Sequence, residues 1–308
     1  MSLVSLIYKK QLLCRYDKTD IAIPYYDVSD FPSLKKEQFS FINSRGTEIA
    51  YFFYYYDNYR TDKIIIFCHG IGAGHTAYLK EIEAFAKAGF RVLTLDYAGC
   101  DKSKGERMES MNSPSRDVYD LINYVHPKEE IVLVGHSLGG YTALNVNNLR
   151  REITKSVIIS GFISLEDEVR YLVKKKHFVN QIMRYEQKIE KEYFGIDNLE
   201  YIKTTEDELL FIQSTDDGMV PYETNLKVIE GIDNPHIHVI KEHNKRHNPT
   251  YTVEAVNFMT ETFKEYNKRF KHKKASNLMK RSLFLSNTID KMTDIDKELF
   301  KKIIDFIN

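Results

Sequence analysis

The chain has no net charge, no long apolar run and few cysteines. Its 44 Lys and Arg residues balance 44 Asp and Glu residues. This balance argues against nucleic acid or an anionic membrane as the main partner, because such partners favour a basic surface. No stretch reaches the ~20 apolar residues of a membrane-spanning helix. The short apolar run at the N-terminus is followed by Lys9 and Lys10, which is the wrong order for a secretory signal.

The three cysteines, Cys14, Cys68 and Cys100, are odd in number and lack CxxC spacing. A disulfide framework therefore has little support, and we expect a reducing compartment and a cytoplasmic protein. For Cys100, packing in the interior is the expected state. No group of His, Cys and Asp has metal-ligand spacing, and we expect neither a metal ion nor an organic cofactor.

What is present is the composition of a globular chain. The 308 residues are 43% hydrophobic and 29% charged, which excludes a disordered tail, a collagen-like chain and a coiled-coil rod. This length allows one large domain or two smaller ones and suffices for a core without disulfide bonds.

Short β-branched runs alternate with helical patterns along most of the chain. Most of these runs are apolar on both faces, as in parallel strands covered by helices on both sides. They lie at 64–67, 91–95, 131–134, 157–159, 209–212 and 237–240. The helical patterns lie at 76–88, 114–125, 138–150 and 251–268. The alternation predicts an α/β fold with a mostly parallel central sheet and helices on both faces, and residues 38–56 add an antiparallel pair.

One long segment, residues 164–205, interrupts this alternation between two strand patterns. It is charged and helical, with Ser164 as a cap and Asp167 at the third helical position. An insertion of this size indicates a lid or a subdomain. We therefore expect a single domain, 1–308, with a helical lid at about 164–205 and a basic helical C-terminal extension at about 269–308.

The C-terminal segment has two parts. Residues 264–281 hold eight Lys and Arg against one acid, Glu265, which favours a solvated helix face over a site for phosphate or an acidic partner. Residues 293–307 have the pattern of one amphipathic helix. Its apolar side carries Ile295, Leu299, Ile303 and Ile307. We expect this helix to pack on the body of the protein, with a dimer contact as the alternative.

The strongest motif is Gly135-His136-Ser137-Leu138-Gly139-Gly140. It begins where the apolar run 131–134 ends, and a helical pattern follows it. A G-x-S-x-G sequence at a strand-to-helix turn holds the serine in a strained, exposed position, and the glycines leave room for that turn. Ser137 is therefore the candidate nucleophile.

A second motif, His69-Gly70-Ile71-Gly72-Ala73-Gly74, follows the run 64–68. A glycine-rich loop there can direct backbone N–H groups toward the space above the serine, where two donors stabilise an oxyanion. The expected pair is the N–H of Ile71 and the N–H of Leu138. The alternative, a phosphate cradle, requires a different spacing of glycines or a following Lys-Ser/Thr.

With these motifs the chain resembles the α/β-hydrolase superfamily. Residues 95–103 are similar to the superfamily's D-x-R-G-x-G-x-S loop, with Ala98 in place of the arginine and Asp101 in place of the second glycine. Asp217-Gly218-Met219-Val220-Pro221 is similar to its D-x-x-V-P acid loop. The resemblance covers roughly residues 38–268. It implies the α/β-hydrolase fold and a serine, an acid and a histidine in that chain order.

The resemblance also implies which acid and which histidine take part. Asp217 is preferred because the superfamily's acid stands four residues before the proline, and Asp216 is the alternative. The histidine is expected in the loop before the last helical pattern, where His247 is preferred and His243 is the alternative. His136 is interpreted as an elbow residue without a role of its own. Two more histidines are interpreted as structural, His236 and His238.

A serine, a histidine and an aspartate in this arrangement favour acyl transfer in two steps. The sequence predicts a serine hydrolase without a nucleic-acid partner, most simply a carboxylesterase acting on a small or medium acyl ester. The same triad serves thioesterases, peptidases, amidases and acyltransferases, and a non-catalytic ligand-binding protein is the competing class. Six lid side chains either face substrate or pack the lid down: Val169, Leu172, Val173, Ile182, Met183 and Tyr185.

Overall fold

The computed structural model describes residues 3–17, 24–72, 74–270 and 286–308. Residues 271–281 of the basic stretch therefore lie outside the described residues. Within the described part, eight strands form one sheet. They are β1 (Lys35–Ile42), β2 (Glu48–Tyr55), β3 (Lys63–Cys68), β4 (Arg91–Leu95), β5 (Glu130–His136), β6 (Lys155–Ile159), β7 (Glu208–Ser214) and β8 (Ile237–Glu242).

Helices fill most of the connections between the strands. In the described ranges they are α1 (Leu3–Gln11), α2 (Leu79–Lys87), α3 (Ser113–Val125), α4 (Leu138–Leu149), α5 (Leu165–Val173), α6 (Lys176–Ile189), α7 (Asn198–Thr204), α8 (Leu226–Ile229), α9 (Val253–Phe270), α10 (Ser286–Met292) and α11 (Lys297–Ile307). None of the helices so described has both the length and the apolarity that crossing a lipid bilayer requires.

The strand order in the sheet is β1-β2-β4-β3-β5-β6-β7-β8. β1 pairs antiparallel with β2, and β2 pairs antiparallel with β4. The remaining pairs are parallel. The antiparallel pair at the edge is the one predicted at 38–56. The predicted fold class, an α/β fold around a mostly parallel sheet, is confirmed.

Alternate side chains of the central strands enter two separate cores. In β3, Ile65 and Phe67 join the core that α2 and α11 cover, whereas Ile64 and Ile66 join the core that α3 and α4 cover. All four are at most 1% exposed. Burial on both faces explains why these strands are continuous apolar runs in the sequence. The carboxyl ends of the parallel strands meet at one edge of the sheet, where the loops after β3, β5 and β7 lie together.

The helix predicted at 76–88 lies close to its predicted limits. Its first turn, His75–Tyr78, is a 3₁₀ turn, and α2 itself begins at Leu79. The helix ends before Gly89, whose φ of 93° is one that residues with a side chain rarely adopt. The predicted stop at this glycine is confirmed.

The prediction of a single helix over residues 293–307 is wrong at its start. α10 ends at Met292 and α11 begins only at Lys297. Between them, Ile295 pairs with Tyr251 as an isolated β-bridge. Asp296 then caps α11, since its Oδ1 accepts from the N–H of the second and third residues of the helix at 3.0 Å each.

α11 belongs to the core of the fold, as its amphipathic pattern predicts. Leu299, Phe300 and Ile303 are buried in the core that covers one face of the sheet. The chain end is held as well, because Lys63 Nζ at the start of β3 donates to the carbonyl of Ile307 at 2.8 Å. Packing on the body, rather than a dimer contact, accounts for the apolar face of this helix.

α5, α6 and α7 lie where the sequence predicts a helical insertion. The hydroxyl of Ser164 caps α5 by accepting from the N–H of Asp167 at 3.2 Å, as predicted. One apolar cluster joins the insertion to α1 and to the loops beside Ser137. Its buried members include Tyr8, Leu138, Tyr141, Val169, Ile182, Met183 and Val220.

Buried polar contacts also connect the insertion to the body. The Glu186 carboxylate on α6 accepts from the Tyr8 hydroxyl at 2.8 Å and from the N–H of Met111 at 3.1 Å. At the end of α6, Glu190 pairs with the buried guanidinium of Arg116 on α3. Because breaking such a buried pair leaves an uncompensated charge, these contacts fix the insertion on the body.

Candidate active site

Ser137 lies at the turn between β5 and α4. Its backbone has φ 58° and ψ −123°, a strained conformation for a residue with a side chain. The N–H of Ser137 donates to the carbonyl of Ile159 at 2.9 Å, and its carbonyl accepts from the N–H of Tyr141 at 3.1 Å. These two bonds hold the strained turn, and the partly exposed serine borders a cavity.

The glycines of this motif are required by close packing. A Cβ added at Gly139 would lie 1.9 Å from the carbonyl oxygen of Cys68. One added at Gly135 would lie 2.1 Å from the carbonyl oxygen of Gly139. The start of α4 therefore approaches β3 and β5 more closely than any residue with a side chain permits. The sequence-based explanation of these glycines is confirmed.

Asp217 and His247 meet from two different loops. Asp217 follows β7, and its Oδ1 accepts from the N–H of Met219 at 2.9 Å and of Val220 at 3.0 Å. Its Oδ2 accepts from Nδ1–H of His247 at 2.8 Å. The Asp217 side chain is fully buried, and the His247 side chain is 12% exposed. Because the carboxylate holds the proton on Nδ1, Nε2 remains the basic nitrogen of a ring that lines the same cavity as Ser137.

The alternative acid and base contact other groups. Asp216 is exposed, and its Oδ1 accepts from the N–H of Arg246 at 3.2 Å. Nδ1 of His243 lies 2.9 Å from the hydroxyl of Thr215. The structure thus brings Asp217 together with His247 and leaves Asp216 and His243 apart from that pair. The two histidines interpreted as structural, His236 and His238, both contact the carboxylate of Glu208.

The loop after β3 is held by a buried neutral histidine. Nδ1–H of His69 donates to the carbonyl of Gly70 at 2.7 Å, and the N–H of Tyr97 donates to Nε2 at 3.3 Å. Burial lowers the pKa of His69 to about 4. The ring is therefore neutral near pH 7, which lets Nε2 act as an acceptor.

The two residues predicted to supply oxyanion donors both lie at the site of Ser137. Ile71 lines the cavity that Ser137 borders. Leu138 is the first residue of α4, a position whose N–H has no acceptor within the helix. The intervening loop residue Ala73 lies outside the described residues.

The cavity at Ser137 measures about 230 Å³. Its walls are mainly apolar, and the hydroxyl-bearing rings of Tyr78 and Tyr251 add polarity. Apart from His136 and His247, the described lining residues include no acidic or basic side chain. The apolar part of the wall comprises Pro24, Ile71, Ala77, Met219, Met259 and Phe263.

Comparisons with known proteins agree with this architecture. A family model described as serine aminopeptidase, S33, matches residues 59–210. An esterase of Pyrococcus furiosus has the same fold, with a TM-score of 0.59 at 20% identity over 80% of this chain and 95% of that one. Est1E of Butyrivibrio proteoclasticus, solved with ferulic acid bound, gives 0.57 at 17% identity over 74% of this chain and 98% of that one. The chain has the α/β-hydrolase fold, and parts of its sequence are similar to proteins of that superfamily.

Relatives in the superfamily match by sequence over shorter stretches. The probable esterase PIR7A of rice, Oryza sativa, is 31% identical over 102 residues, which is 32% of this chain and 39% of that protein. A 2-hydroxy-6-oxo-6-(2'-aminophenyl)hexa-2,4-dienoic acid hydrolase of Metapseudomonas resinovorans is 26% identical over 133 residues, or 42% and 44% of the two chains. The chain thus spans less than half the length of these relatives.

The loop after β4 departs from the superfamily's pattern and is held by contacts of its own. The N–H of Ala98, which stands in place of the superfamily's arginine, donates to Oδ2 of Asp117 at 2.9 Å. The next residue, Gly99, has a φ of 80°. Cys100 is buried, and burial raises the pKa of its thiol well above its usual value. The expectation of a packed Cys100 is confirmed.

A second histidine–aspartate pair, which sequence reasoning missed, lies buried behind the loop that follows β3. Nδ1 and the backbone N–H of His75 both donate to Oδ1 of Asp96, at 2.8 and 2.9 Å. The Tyr54 hydroxyl lies 2.8 Å from Nε2 of the same ring. Although burial opposes it, His75 holds the pKa of Asp96 below its usual value. These contacts anchor the far end of the loop, where a Cβ added at Gly74 would lie 2.2 Å from Asp96 Oδ1.

His136, interpreted from the sequence as an elbow residue, makes contacts that the sequence did not predict. Its Nε2 lies 2.7 Å from the backbone carbonyl of His247, and its Nδ1 lies 3.0 Å from the hydroxyl of Tyr78. The centroids of the two imidazole rings are 4.8 Å apart. No spacing in the sequence relates positions 78, 136 and 247, so only the fold reveals the contact.

The sequence left open whether six side chains of the insertion face substrate or pack the insertion down. None of them is among the described residues that line the cavity. Val169, Ile182 and Met183 are buried in the cluster under the insertion. Leu172 is instead 54% exposed. The Tyr185 hydroxyl donates to the carbonyl of Glu109 at 2.8 Å. These side chains pack or face solvent around the insertion.

Proposed function

We propose that this chain is a serine hydrolase in which Ser137 is the nucleophile, His247 the general base and Asp217 the orienting acid. The observation that carries the proposal is the 2.8 Å contact of His247 Nδ1 with Asp217 Oδ2 at the cavity that Ser137 borders. A base oriented by a buried carboxylate beside an accessible serine is the arrangement that activates a hydroxyl.

The first half-reaction forms an acyl-enzyme. Nε2 of His247 takes the proton of the Ser137 hydroxyl while Oγ attacks the carbonyl carbon of the ester. Asp217 keeps the proton on Nδ1 and stabilises the imidazolium that forms. When the tetrahedral intermediate collapses, the C–O bond to the alcohol breaks, and His247 gives its proton to the leaving oxygen.

Water completes the cycle by the same route. His247 takes a proton from water, and the resulting hydroxide oxygen attacks the acyl carbon. Collapse of the second intermediate breaks the bond to Oγ, returns the proton to Ser137 and releases the acid. The N–H groups of Ile71 and Leu138 hold the oxyanion in both intermediates, and removing one such donor typically costs about 3–4 kcal/mol in the barrier.

A neutral carboxylic ester with a small or medium acyl group fits the cavity best. Its volume of about 230 Å³ lies below the ~300–1,000 Å³ of sites for drug-sized ligands. The apolar wall favours a hydrocarbon acyl or alcohol group over a charged one. The rice relative's description as a probable esterase points the same way.

An aminopeptidase is the second candidate, because the matching family model carries that description. Such an enzyme needs a carboxylate to hold the ammonium group of its substrate. The described lining of the cavity has no aspartate or glutamate, which favours the ester. The same triad also serves thioesters, amides and transfer to alcohols, so hydrolysis of each bond type has to be compared directly.

The first experiment tests the nucleophile. We expect intact-mass spectrometry after treatment with a fluorophosphonate to show one adduct per chain on the wild type. The variant Ser137→Ala should show none, because it lacks the attacking oxygen. A folded wild type that forms no adduct, or an adduct that persists in Ser137→Ala, would contradict the proposal.

The second experiment tests the substrate class. p-Nitrophenyl acetate, butyrate and palmitate are compared with the p-nitroanilides of leucine and alanine. We expect the highest kcat/KM on the two short esters and no measurable release from the anilides. Preference for an aminoacyl anilide would instead assign the chain to the aminopeptidases.

A further inference from the structure

Two hydrogen bonds of the His136 ring connect Tyr78 to the backbone of His247 beside the serine. We call this chain of hydrogen bonds the relay. Tyr78 comes from the turn before α2, His136 is the last residue of β5, and His247 lies in the loop before α9. The distances are 3.0 Å from the Tyr78 hydroxyl to Nδ1 of His136 and 2.7 Å from Nε2 to the carbonyl of His247. Three separate segments of the chain are thereby joined at the site.

The chemistry of the partners fixes where the protons lie. A carbonyl oxygen only accepts, so Nε2 of His136 carries the ring's proton. Burial, with a smaller effect of His247, lowers the pKa of His136 to about 3, so the ring is neutral and its Nδ1 accepts. The Tyr78 hydroxyl therefore donates, and burial raises its pKa, which keeps that proton in place.

The same hydroxyl extends the relay to the oxyanion loop. A Cβ added at Gly70 would lie 2.4 Å from the Tyr78 oxygen and 3.2 Å from the carbonyl oxygen of His136. The glycine at the start of the loop thus packs directly against both members of the relay. A shift of His136 would therefore displace the loop after β3 as well as the loop that carries His247.

The relay holds the backbone of His247, whereas Asp217 holds its ring. Asp217 fixes the ring through Nδ1, and a hydrogen bond to the backbone carbonyl fixes the position from which the side chain departs. A neutral His136 also adds no positive charge next to the imidazolium that forms on His247, although the ring centroids are only 4.8 Å apart.

We propose that His136 is a positioning residue that sets the His247 ring against Ser137, with Tyr78 holding the Nδ1 side of the His136 ring. This inference rests on the proposed function, since it assigns a role in the same reaction. The hydrogen bonds of the His136 ring go to Tyr78 and to the backbone of the proposed base, so its proposed effect on the reaction is indirect.

Two variants separate the two hydrogen bonds of the ring. A glutamine amide reaches about as far as Nε2 of histidine, so His136→Gln keeps a donor to the His247 carbonyl. An asparagine amide reaches about as far as Nδ1, so His136→Asn keeps a partner for Tyr78 and loses that donor. Both substitutions place an uncharged amide at the same position, which makes them a matched pair.

We expect His136→Asn to lower kcat on p-nitrophenyl acetate by about ten- to hundredfold, as a misplaced base does, with KM changed less than about twofold. His136→Gln should recover most of that loss. Melting temperatures of the two variants are measured in parallel. Equal losses of kcat in both, or a loss that follows the melting temperature rather than the donor, would overturn the inference.

A spectroscopic measurement tests the relay without turnover. Long-range ¹H–¹⁵N correlation spectra of the wild type labelled at histidine should show His136 as the neutral Nε2–H tautomer from pH 5 to pH 8, with the assignment made by the loss of its signals in His136→Gln. A ring that titrates in this range, or the Nδ1–H tautomer, would overturn the relay. A wild type that forms no fluorophosphonate adduct would instead refute the proposed function, whatever the tautomer.

Discussion

At the residue scale, the site depends on which of two adjacent aspartates meets His247. Asp217 is buried and bonded to the ring, whereas Asp216 is exposed and bonded to a backbone N–H. Asp217→Asn replaces the acceptor by an amide that no longer enforces the tautomer. We expect kcat for p-nitrophenyl acetate to fall by about 10³–10⁴-fold, measured by steady-state kinetics.

Asp216→Asn is the matched control for that prediction, because it makes the same change one residue earlier. Its kcat should stay within about twofold of the wild type, since its contacts lie outside the proposed triad. Equal losses in the two variants would show that the loop after β7, and not the carboxylate at 217, matters for the reaction.

The close approach of α4 to the sheet leads to a prediction about stability. Gly139→Ala would place a methyl group 1.9 Å from the Cys68 oxygen, whereas a Cβ at Gly218 would meet no atom within 4 Å. We expect Gly139→Ala to lower the free energy of unfolding by more than about 3 kcal/mol, measured by urea denaturation. Gly218→Ala should change it by less than about 0.5 kcal/mol. A stable Gly139→Ala would mean that α4 can move away from β3.

Residues of the site differ in how far the sequence reveals them. Ser137 and Asp217 stand in short local patterns, so a strand, a turn and a few glycines or a proline suffice to mark them. His136 and His75 act through partners tens of residues away along the chain. Their contacts depend on strand order, which local patterns do not specify, and they became visible only in the folded structure.

At the element scale, the insertion brings a buried acid close to the site. Glu168 on α5 is 8% exposed, and no hydrogen-bond partner among the described residues contacts its Oε2. Burial, followed by the charge of Asp217, raises its pKa from 4.5 to about 8. The side chain is therefore predominantly protonated at neutral pH in the folded protein.

This raised pKa predicts a pH-dependent stability. Between pH 4.5 and about pH 8 the folded state holds a proton on Glu168 that the unfolded state releases, so the free energy of unfolding falls as pH rises. Glu168→Gln removes this pH-dependent fall in the free energy of unfolding. We expect its melting temperature to rise relative to the wild type from about pH 5 to about pH 9. Glu166→Gln, on the exposed side of the same helix, should show a constant difference, and a constant difference for Glu168→Gln would contradict the burial argument.

Strands and helices could be predicted where their burial leaves a recognisable pattern of apolar residues in the sequence. The central strands are buried on both faces and therefore stand out as apolar runs. The break between α10 and α11 left no such trace, because Ile295 continues the apolar pattern of the helix that follows. A cap at Asp296 and a bridge to Tyr251 separate the two helices there. The cap is a local contact, whereas the bridge joins residues far apart in the sequence.

At the scale of the whole molecule, the last helix is part of the core that supports the sheet. Ile303 is fully buried against it, while Lys302 is exposed. We expect Ile303→Ala to lower the free energy of unfolding by about 2–5 kcal/mol, measured by urea denaturation. Lys302→Ala should change it by less than about 0.5 kcal/mol. Equal effects would mean that α11 is not packed as described.

The cavity has a wall that is separate from the groups proposed to carry the reaction. Met259 and Phe263 lie on α9, and Met219 lies beside the acid without bonding through its side chain to the triad. Unbranched thioether side chains adapt their shape at low cost. Selection for a new ester can therefore begin with these three positions, as a small combinatorial library, while the proton-transfer groups stay untouched. Substrate preference can thus change, in a lineage or in a laboratory, without a change in the groups proposed to transfer protons.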